Sequence, residues 1–183
     1  MVDQKTGFGL IGTGAVSGHY AAAINELDHA ELVAVSSSNP ERKTIAQERF
    51  QVTAYSNYHD LVNRSDIHVV CILTESGNHL EPALLAAGSG KHVLCEKPLE
   101  VTLERADRMI EACRKAKVKL GCIFQNRFKP DYQKLKESVN RGELGRLLCG
   151  NAYIKWFRND NYYTESHWHG KLHGDGGGAL VPS

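Results

Sequence analysis

No apolar run in this 183-residue chain approaches the ~18 residues that a membrane-spanning helix needs. Net charge is also missing: 22 Lys and Arg against 21 Asp and Glu leave +1. That balance argues against a binder of nucleic acid or membrane surfaces working by bulk electrostatics, and no basic stripe is interleaved with aromatics. The five cysteines, at 71, 95, 113, 122 and 149, are odd in number and form no C-x-x-C pair. Such usage reads as small buried thiols in a reducing compartment, not as a disulfide framework. Cys95 precedes Glu96 and Lys97, but nothing around it marks a nucleophile. Met1 to Thr6 is polar and carries no signal-peptide core. The expectation is a cytoplasmic chain with neither a membrane nor a nucleic-acid partner.

What is present is a regular alternation. Hydrophobic residues make up 42% and charged residues 23%, enough to build a globular core. Phe8 to Ile11, Glu31 to Ser36, Ile67 to Leu73, His92 to Cys95 and Lys119 to Phe124 read as strands. The third of these is almost wholly apolar, as a strand covered on both faces should be. Between them, Ala15 to Leu27, Pro40 to Phe50, Asn57 to Val62, His79 to Ala87 and Thr102 to Lys117 read as helices. The last presents Leu103, Ala106, Ile110 and Cys113 on one face. Repeated β-then-α units predict a doubly wound parallel α/β sheet of the Rossmann type. After about residue 122 the texture loosens. One helix over Pro130 to Arg141 and a longer strand over Arg146 to Phe157 are expected, then an aromatic and Gly-rich stretch over Arg158 to Gly178. The chain therefore divides into 1–122, a Rossmann-type domain, and 123–183, an α+β second part too small to be a domain of its own.

The first motif is Gly12-Thr-Gly14-Ala15-Val16-Ser17, directly after a strand and directly before a helix. Gly12 permits the tight turn, Gly14 lets backbone approach a pyrophosphate, and a small residue at 17 lets helix pack on strand. Helix N–H groups then face the phosphates, with Ala15 and Val16 in the binding turn. The end of the second strand tests which dinucleotide fits. NAD binders usually place an acid there for the ribose 2′-OH. Here Ser36-Ser37-Ser38-Asn39 stands instead, with Arg42 and Lys43 following. Hydroxyls and a cation suit a 2′-phosphate, which favours NADP over NAD. The alternative is that Arg42 and Lys43 form a solvated helix face.

Three further strings follow: Thr74-Glu-Ser-Gly-Asn-His79, Gly90-Lys-His-Val-Leu-Cys-Glu96-Lys97-Pro98 and Asp175-Gly-Gly-Gly-Ala-Leu180. Together with the Gly-rich turn they resemble the glucose–fructose oxidoreductase / inositol 2-dehydrogenase / rhizopine-catabolism oxidoreductase (Gfo/Idh/MocA) family. The stretch from Trp156 through Tyr163 and Trp168 to the glycines is similar to the branch that oxidises nucleotide-linked amino-sugar acids. The resemblance implies hydride transfer between a nicotinamide cofactor and a hydroxyl of a sugar or sugar nucleotide. It places Thr74 and His79 on the nicotinamide side and Glu96 near the nicotinamide ribose. It makes Lys97 the catalytic group, directed at the substrate hydroxyl. Its three donors can orient that hydroxyl and its charge can stabilise a developing alkoxide. Arg127, Arg158, Tyr163 and Trp168 are candidate substrate contacts, since aromatic faces and guanidinium groups suit sugars bearing carboxylate or phosphate. For Arg158, Tyr163 and Trp168 the alternative is a loop closing on its own aromatics. His167, His169 and His173 have a spacing that could ligate a metal, but no Cys or carboxylate cluster accompanies them beyond Glu165 and Asp175, and no metal is expected.

The resemblance also marks a departure. In the family the glycine string leads into a helix with Asp or Asn and, four residues on, a histidine that shares acid/base work with the lysine. Here Leu180 is followed by Val181-Pro182-Ser183, with Pro182 at the Asp/Asn position. The chain thus reads as a C-terminally truncated member. The competing function is a catalytically incomplete dinucleotide-binding remnant or sensor, and an exposed second-domain edge would favour a homo-oligomer.

Overall fold

The computed structural model describes residues 5–164 and 168–176. It has six strands: β1 (Thr6–Ile11), β2 (Ala30–Ser36), β3 (Thr53–Tyr55), β4 (Val69–Ile72), β5 (His92–Cys95) and β6 (Leu120–Cys122). All pair in parallel, in the order β3-β2-β1-β4-β5-β6. The chain leaves β1 toward β2 and β3, then returns to place β4 on the other side of β1. The reversal point therefore lies between β1 and β4, where open α/β sheets hold their ligands. Backbone bonds knit the carboxyl ends together there: Gly12 N–H to Ser36 O (2.9 Å), Leu73 N–H to Ile11 O (2.8 Å) and Glu96 N–H to Ile72 O (3.0 Å).

Two apolar layers cover the sheet. On one face, α1 (Ser17–Asn25) and α2 (Pro40–Phe50) bury Ile24 and Ala46 against Leu10, Val35 and Cys71. On the other, α3 (Tyr58–Val62), α4 (Leu80–Gly88) and α5 (Leu103–Lys115) bury Leu61, Leu80, Ala83 and Met109 against Ile11, Val70 and Ile72. Strand residues alternate between the layers because side chains alternate along a strand. Caps set the helix starts. Asn39 accepts from Arg42 N–H (2.9 Å) with Pro40 behind it, and Thr102 accepts from Arg105 N–H (3.3 Å).

Several expectations about individual elements need correction. The strand β3 is additional to those read from the sequence. The buried face of α5 is Met109, Ala112 and Cys113, whereas Leu103 and Ile110 are 85% and 49% exposed. The helix packs on α4 through the later stripe, so the apolar residue of its first turn faces solvent. Finally, 146–157 is not a strand: no regular secondary structure is assigned there, and Tyr153 and Phe157 are both 84% exposed. A strand exists through its pairing partners, and among the described residues none pairs with this segment.

The described chain forms two units, one made of 5–123 with 168–176 and the other of 124–164. The second unit holds a 3₁₀ turn (Gln125–Phe128), α6 (Pro130–Asn140) and α7 (Asp160–Thr164). Residues 168–176, expected in the second domain, group instead with the first. There α8 (Leu172–Asp175) packs on the 3₁₀ turn Ser76–Asn78. Gly77 permits this approach, since a Cβ on it would clash with the His173 carbonyl oxygen. Among the described residues no helix is long and apolar enough to cross a membrane.

Candidate cofactor-binding site

The carboxyl end of β1 turns sharply at Gly12, whose φ is +102°. Any Cβ there would lie 2.7 Å from the Leu73 carbonyl oxygen. The turn closes at Ser17, which is buried and donates from Oγ to the Gly14 carbonyl (2.7 Å) while α1 begins. The small residue at 17 therefore packs and also ties the turn. Above Gly14 the space is open, and a Cβ on it would meet nothing within 4 Å. Thr13 Oγ1 is buried without a hydrogen-bond partner. The N-terminal end of α1, an open approach over Gly14 and an unpartnered Thr13 hydroxyl fit a pyrophosphate and its ribose.

Beside this turn lies a cleft of about 300 Å³. Thr13, Gly14, Ala15 and Ser17 form one wall, and Arg42, Ile45, Arg49 and Phe50 of α2 the other. Arg49 carries no sequence signal, but it recurs seven residues after Arg42, on the same helical face. Its guanidinium reaches back over Gly18 and lies 5.3 Å from the Phe50 ring centroid. Lys43 turns elsewhere and donates to Ser56 Oγ (3.1 Å). Ser37 and Ser38 follow β2, with Ser37 N–H bonded to the Tyr55 carbonyl (3.0 Å). No acid stands at that strand end. A larger hollow, about 520 Å³ over the charged outer face of α5, contains none of the motif residues.

Thr74 and the Glu96-Lys97 pair stand just beyond β4 and β5. Thr74 Oγ1 donates to the Asn78 carbonyl (3.0 Å). The Glu96 carboxylate accepts from the Tyr20 hydroxyl at Oε1 (2.9 Å) and from Lys97 N–H at Oε2 (3.1 Å). Lys97 is joined to Pro98 by a cis peptide. His79, expected at the cofactor surface, is 1% exposed. Its Nε2 lies 3.1 Å from the Thr74 carbonyl oxygen, and its Nδ1 lies 3.0 and 3.2 Å from those of Pro98 and Leu99. It thereby ties the loop after β4, which carries Thr74, to the loop after β5, which carries Lys97. Below the same loop, the side chain of Glu100 is wholly buried. It accepts from Arg105 Nη2 (2.8 Å), Val101 N–H (2.6 Å) and Leu80 N–H (3.3 Å). Burial opposes its charge, but Arg105 and the two backbone donors outweigh that and hold its carboxyl below the usual range. Burial pushes the Cys71 thiol up to about 12 and raises that of Cys95, so neither is a nucleophile.

The structure thus gathers Gly12, Gly14, Ala15, Val16, Ser37, Ser38, Arg42, Thr74, Glu96 and Lys97 at the carboxyl ends of neighbouring strands. Trp168 belongs to the same unit, its ring centroid 4.1 Å from that of His169. Arg127, Arg158 and Tyr163 belong to the second unit. Arg158 sits over Trp156 (4.4 Å) and Tyr162 (4.8 Å), Tyr163 packs edge-on to Tyr162, and Arg127 lies over Phe124 (5.3 Å). Both arginines therefore rest on aromatics of their own segment. Glu165, His167 and the stretch from Gly177 to Ser183 lie outside the described residues. Among the described residues, no three His, Cys, Asp or Glu side chains are grouped to hold a metal.

A parallel sheet in this strand order, with a Gly-rich turn opening α1 at the reversal point, defines a dinucleotide-binding α/β protein. The profile of the oxidoreductase family with an NAD-binding Rossmann fold matches residues 6–124. The chain is 35% identical to the myo-inositol 2-dehydrogenase of Thermotoga maritima over 139 residues, 75% of this chain and 42% of that one. Two solved structures resemble it closely. The WlbA dehydrogenase of Chromobacterium violaceum, in complex with NADH and UDP-GlcNAcA, superposes with a TM-score of 0.91 at 29% identity, over 95% of this chain and 51% of the other. The scyllo-inositol dehydrogenase of Lactobacillus casei, with NAD(H) and scyllo-inositol, gives a TM-score of 0.72 at 28% identity over 77% and 42%. The chain belongs to the Gfo/Idh/MocA family of oxidoreductases, and it spans about half the length of the relatives it matches.

Proposed function

We propose that this chain supplies the cofactor-binding part of an NAD(P)-dependent dehydrogenase acting on a ring hydroxyl of a sugar nucleotide, with NADP preferred. One observation carries the substrate class. The likeness to the WlbA dehydrogenase extends over 95% of the chain, whereas the likeness to the inositol dehydrogenase stops at 77%. A glycosyl nucleotide bearing a carboxylate is the class of ligand that neighbour holds. The preference for NADP rests on the cleft beside Gly14. It offers Arg42 and Arg49, and the end of β2 offers hydroxyls where an acid would select the bare 2′-OH.

In this reading Gly12 to Val16 hold the pyrophosphate and Ser37, Ser38 and Arg42 the adenosine ribose. Thr74 and Glu96 flank the nicotinamide ribose. The nicotinamide, when bound, takes up the hydride from the sugar carbon. Lys97 hydrogen-bonds the substrate hydroxyl, orients it and steadies the negative charge that develops on its oxygen as the hydroxyl proton passes to water. Arg127, Arg158, Tyr163 and Trp168 are the candidate sugar contacts.

Two results test this. Arg42→Ala should weaken NADP binding about tenfold, the loss of one charge-assisted contact, while leaving NAD within about twofold. A parent chain that binds NAD more tightly than NADP refutes the cofactor choice. Lys97→Met should lower kcat/KM on a UDP-sugar acid by about 10²–10³, as loss of an alkoxide-stabilising donor does, with the cofactor Kd unchanged. Unaltered turnover removes Lys97 from the mechanism. Binding without any turnover by the parent chain would assign it to dinucleotide binding alone.

A further inference from the structure

Glu96 is fastened at four points. Its N–H donates to the Ile72 carbonyl (3.0 Å), and its carbonyl accepts from Cys122 Sγ (3.8 Å). Its carboxylate takes Lys97 N–H at one oxygen and the Tyr20 hydroxyl at the other. The first two bonds fix the backbone to neighbouring strands, and the Lys97 bond is local. The Tyr20 contact alone among these comes from a helix, and that helix is α1, which begins at the Gly-rich turn. Tyr20 sits one turn beyond Ser17, its ring packed among Leu10, Cys71 and their neighbours beneath the strand ends. Its hydroxyl aims at a carboxylate 76 residues away in sequence.

We propose that Tyr20 is a positioning residue for Glu96, coupling the phosphate-binding end of the site to its nicotinamide end. This rests on the cofactor reading above. The hydroxyl is held protonated: burial, then the neighbouring Glu96 charge, push its ionisation well above the ordinary range. Tyr20 therefore acts as a fixed donor at all working pH. A carboxylate oxygen can accept more than one hydrogen bond, so with Tyr20 on Oε1 and Lys97 N–H on Oε2 each oxygen retains acceptor capacity. The carboxylate plane is set in advance, and a ribose diol arriving there meets acceptors that do not have to be reoriented. Because α1 also carries the pyrophosphate turn, its placement on the sheet and the aim of Glu96 are fixed by one rigid element.

The two halves of the cofactor should respond differently. Tyr20→Phe keeps the buried ring and removes only the donor. It should weaken NADPH or NADH binding about tenfold, a range expected for a hydrogen bond to a charged group, and leave ADP 2′-phosphate or ADP, which lack the nicotinamide ribose, within about twofold. In a Glu96→Ala background the same substitution should have no further effect, since the group it positions is gone. Equal weakening of the whole cofactor and its half, or none of either, overturns the proposal, as does an undiminished effect of Tyr20→Phe without Glu96. A parent chain that melts cooperatively yet binds neither ligand refutes the cofactor reading itself, and this inference with it.

Discussion

Gly12→Ala should cost about 3 kcal/mol of folding stability or more, and dinucleotide binding should disappear with it. The new methyl group would lie 2.7 Å from the Leu73 carbonyl oxygen and 2.8 Å from its carbonyl carbon. Those atoms are backbone at the end of a central strand and cannot swing aside. The left-handed φ of +102° adds strain that any side chain would feel. Gly14→Ala is the informative contrast. Its Cβ would meet nothing within 4 Å, and Gly14 is absent from the positive-φ glycines. Stability should stay within about 1 kcal/mol of the parent, since the methyl meets no atom and alanine leaves the unfolded chain less freedom to lose. Binding should still fall by at least about tenfold, because the methyl occupies the space over which phosphate approaches. Denaturant unfolding and a cofactor titration on both variants give the two readouts. Loss of stability in Gly14→Ala, or its retention in Gly12→Ala, would mean that the turn is built otherwise than described.

The second large effect lies beneath the Lys97 loop. Arg105→Met should lower stability by about 3 kcal/mol, since it leaves the Glu100 carboxylate buried without its countercharge. The side chain of Glu100 is wholly buried, and that of Arg105 is 27% exposed. Leu80 and Val101 N–H would remain, which keeps the loss near the lower end of what breaking such pairs costs. The pH dependence follows from the lowered native pKa. Above the carboxyl's ordinary value of 4.5 the stabilisation is complete. It is lost as pH falls through the lower native value, because the unfolded chain takes up the proton first. In Arg105→Met the native carboxyl loses its lowering partner and its pKa moves up, so Glu100's share of the acid limb should shrink or vanish and the variant's deficit should narrow as pH falls. A variant within about 0.5 kcal/mol of the parent at neutral pH, with an unchanged acid limb, would show that the pair contributes little.

The elements legible in the sequence are those whose environment is uniform. β4 is apolar throughout because both faces are covered, and Gly12-x-Gly14 stands where a strand must turn into a helix. Glu96 and Lys97 are legible through the family resemblance, and their place at the end of β5 follows from the strand before them. What escapes a sequence reading depends on partners distant in the chain. β3 has three residues, too few for any periodicity, and exists because Ser37 and its neighbours pair with it. Tyr20 looks like one more apolar position of α1 until Glu96 is placed over it. Arg49 and Arg105 look like solvated helix charges until the fold brings one to the cleft and the other to a buried carboxylate. His79 stands in the expected loop but at a different depth, since sequence gives the loop and not which side of it faces inward. The expected strand over 146–157 rests on a partial alternation, yet alternation supplies only a face and pairing supplies the strand.

Everything proposed for this chain depends on the carboxyl ends of β1, β2, β4 and β5 forming a dinucleotide site, with Gly14 open to the phosphates and Arg42 beside the adenosine ribose. A fluorescence titration of the purified chain with NADPH and with NADH, alongside a thermal melt, tests this without intermediaries. Saturable binding of one nucleotide per chain is expected, tighter for NADPH, with a rise in melting temperature at saturation. A chain that melts cooperatively but binds neither nucleotide at about millimolar concentration, a Kd worth only about 4 kcal/mol, would contradict it.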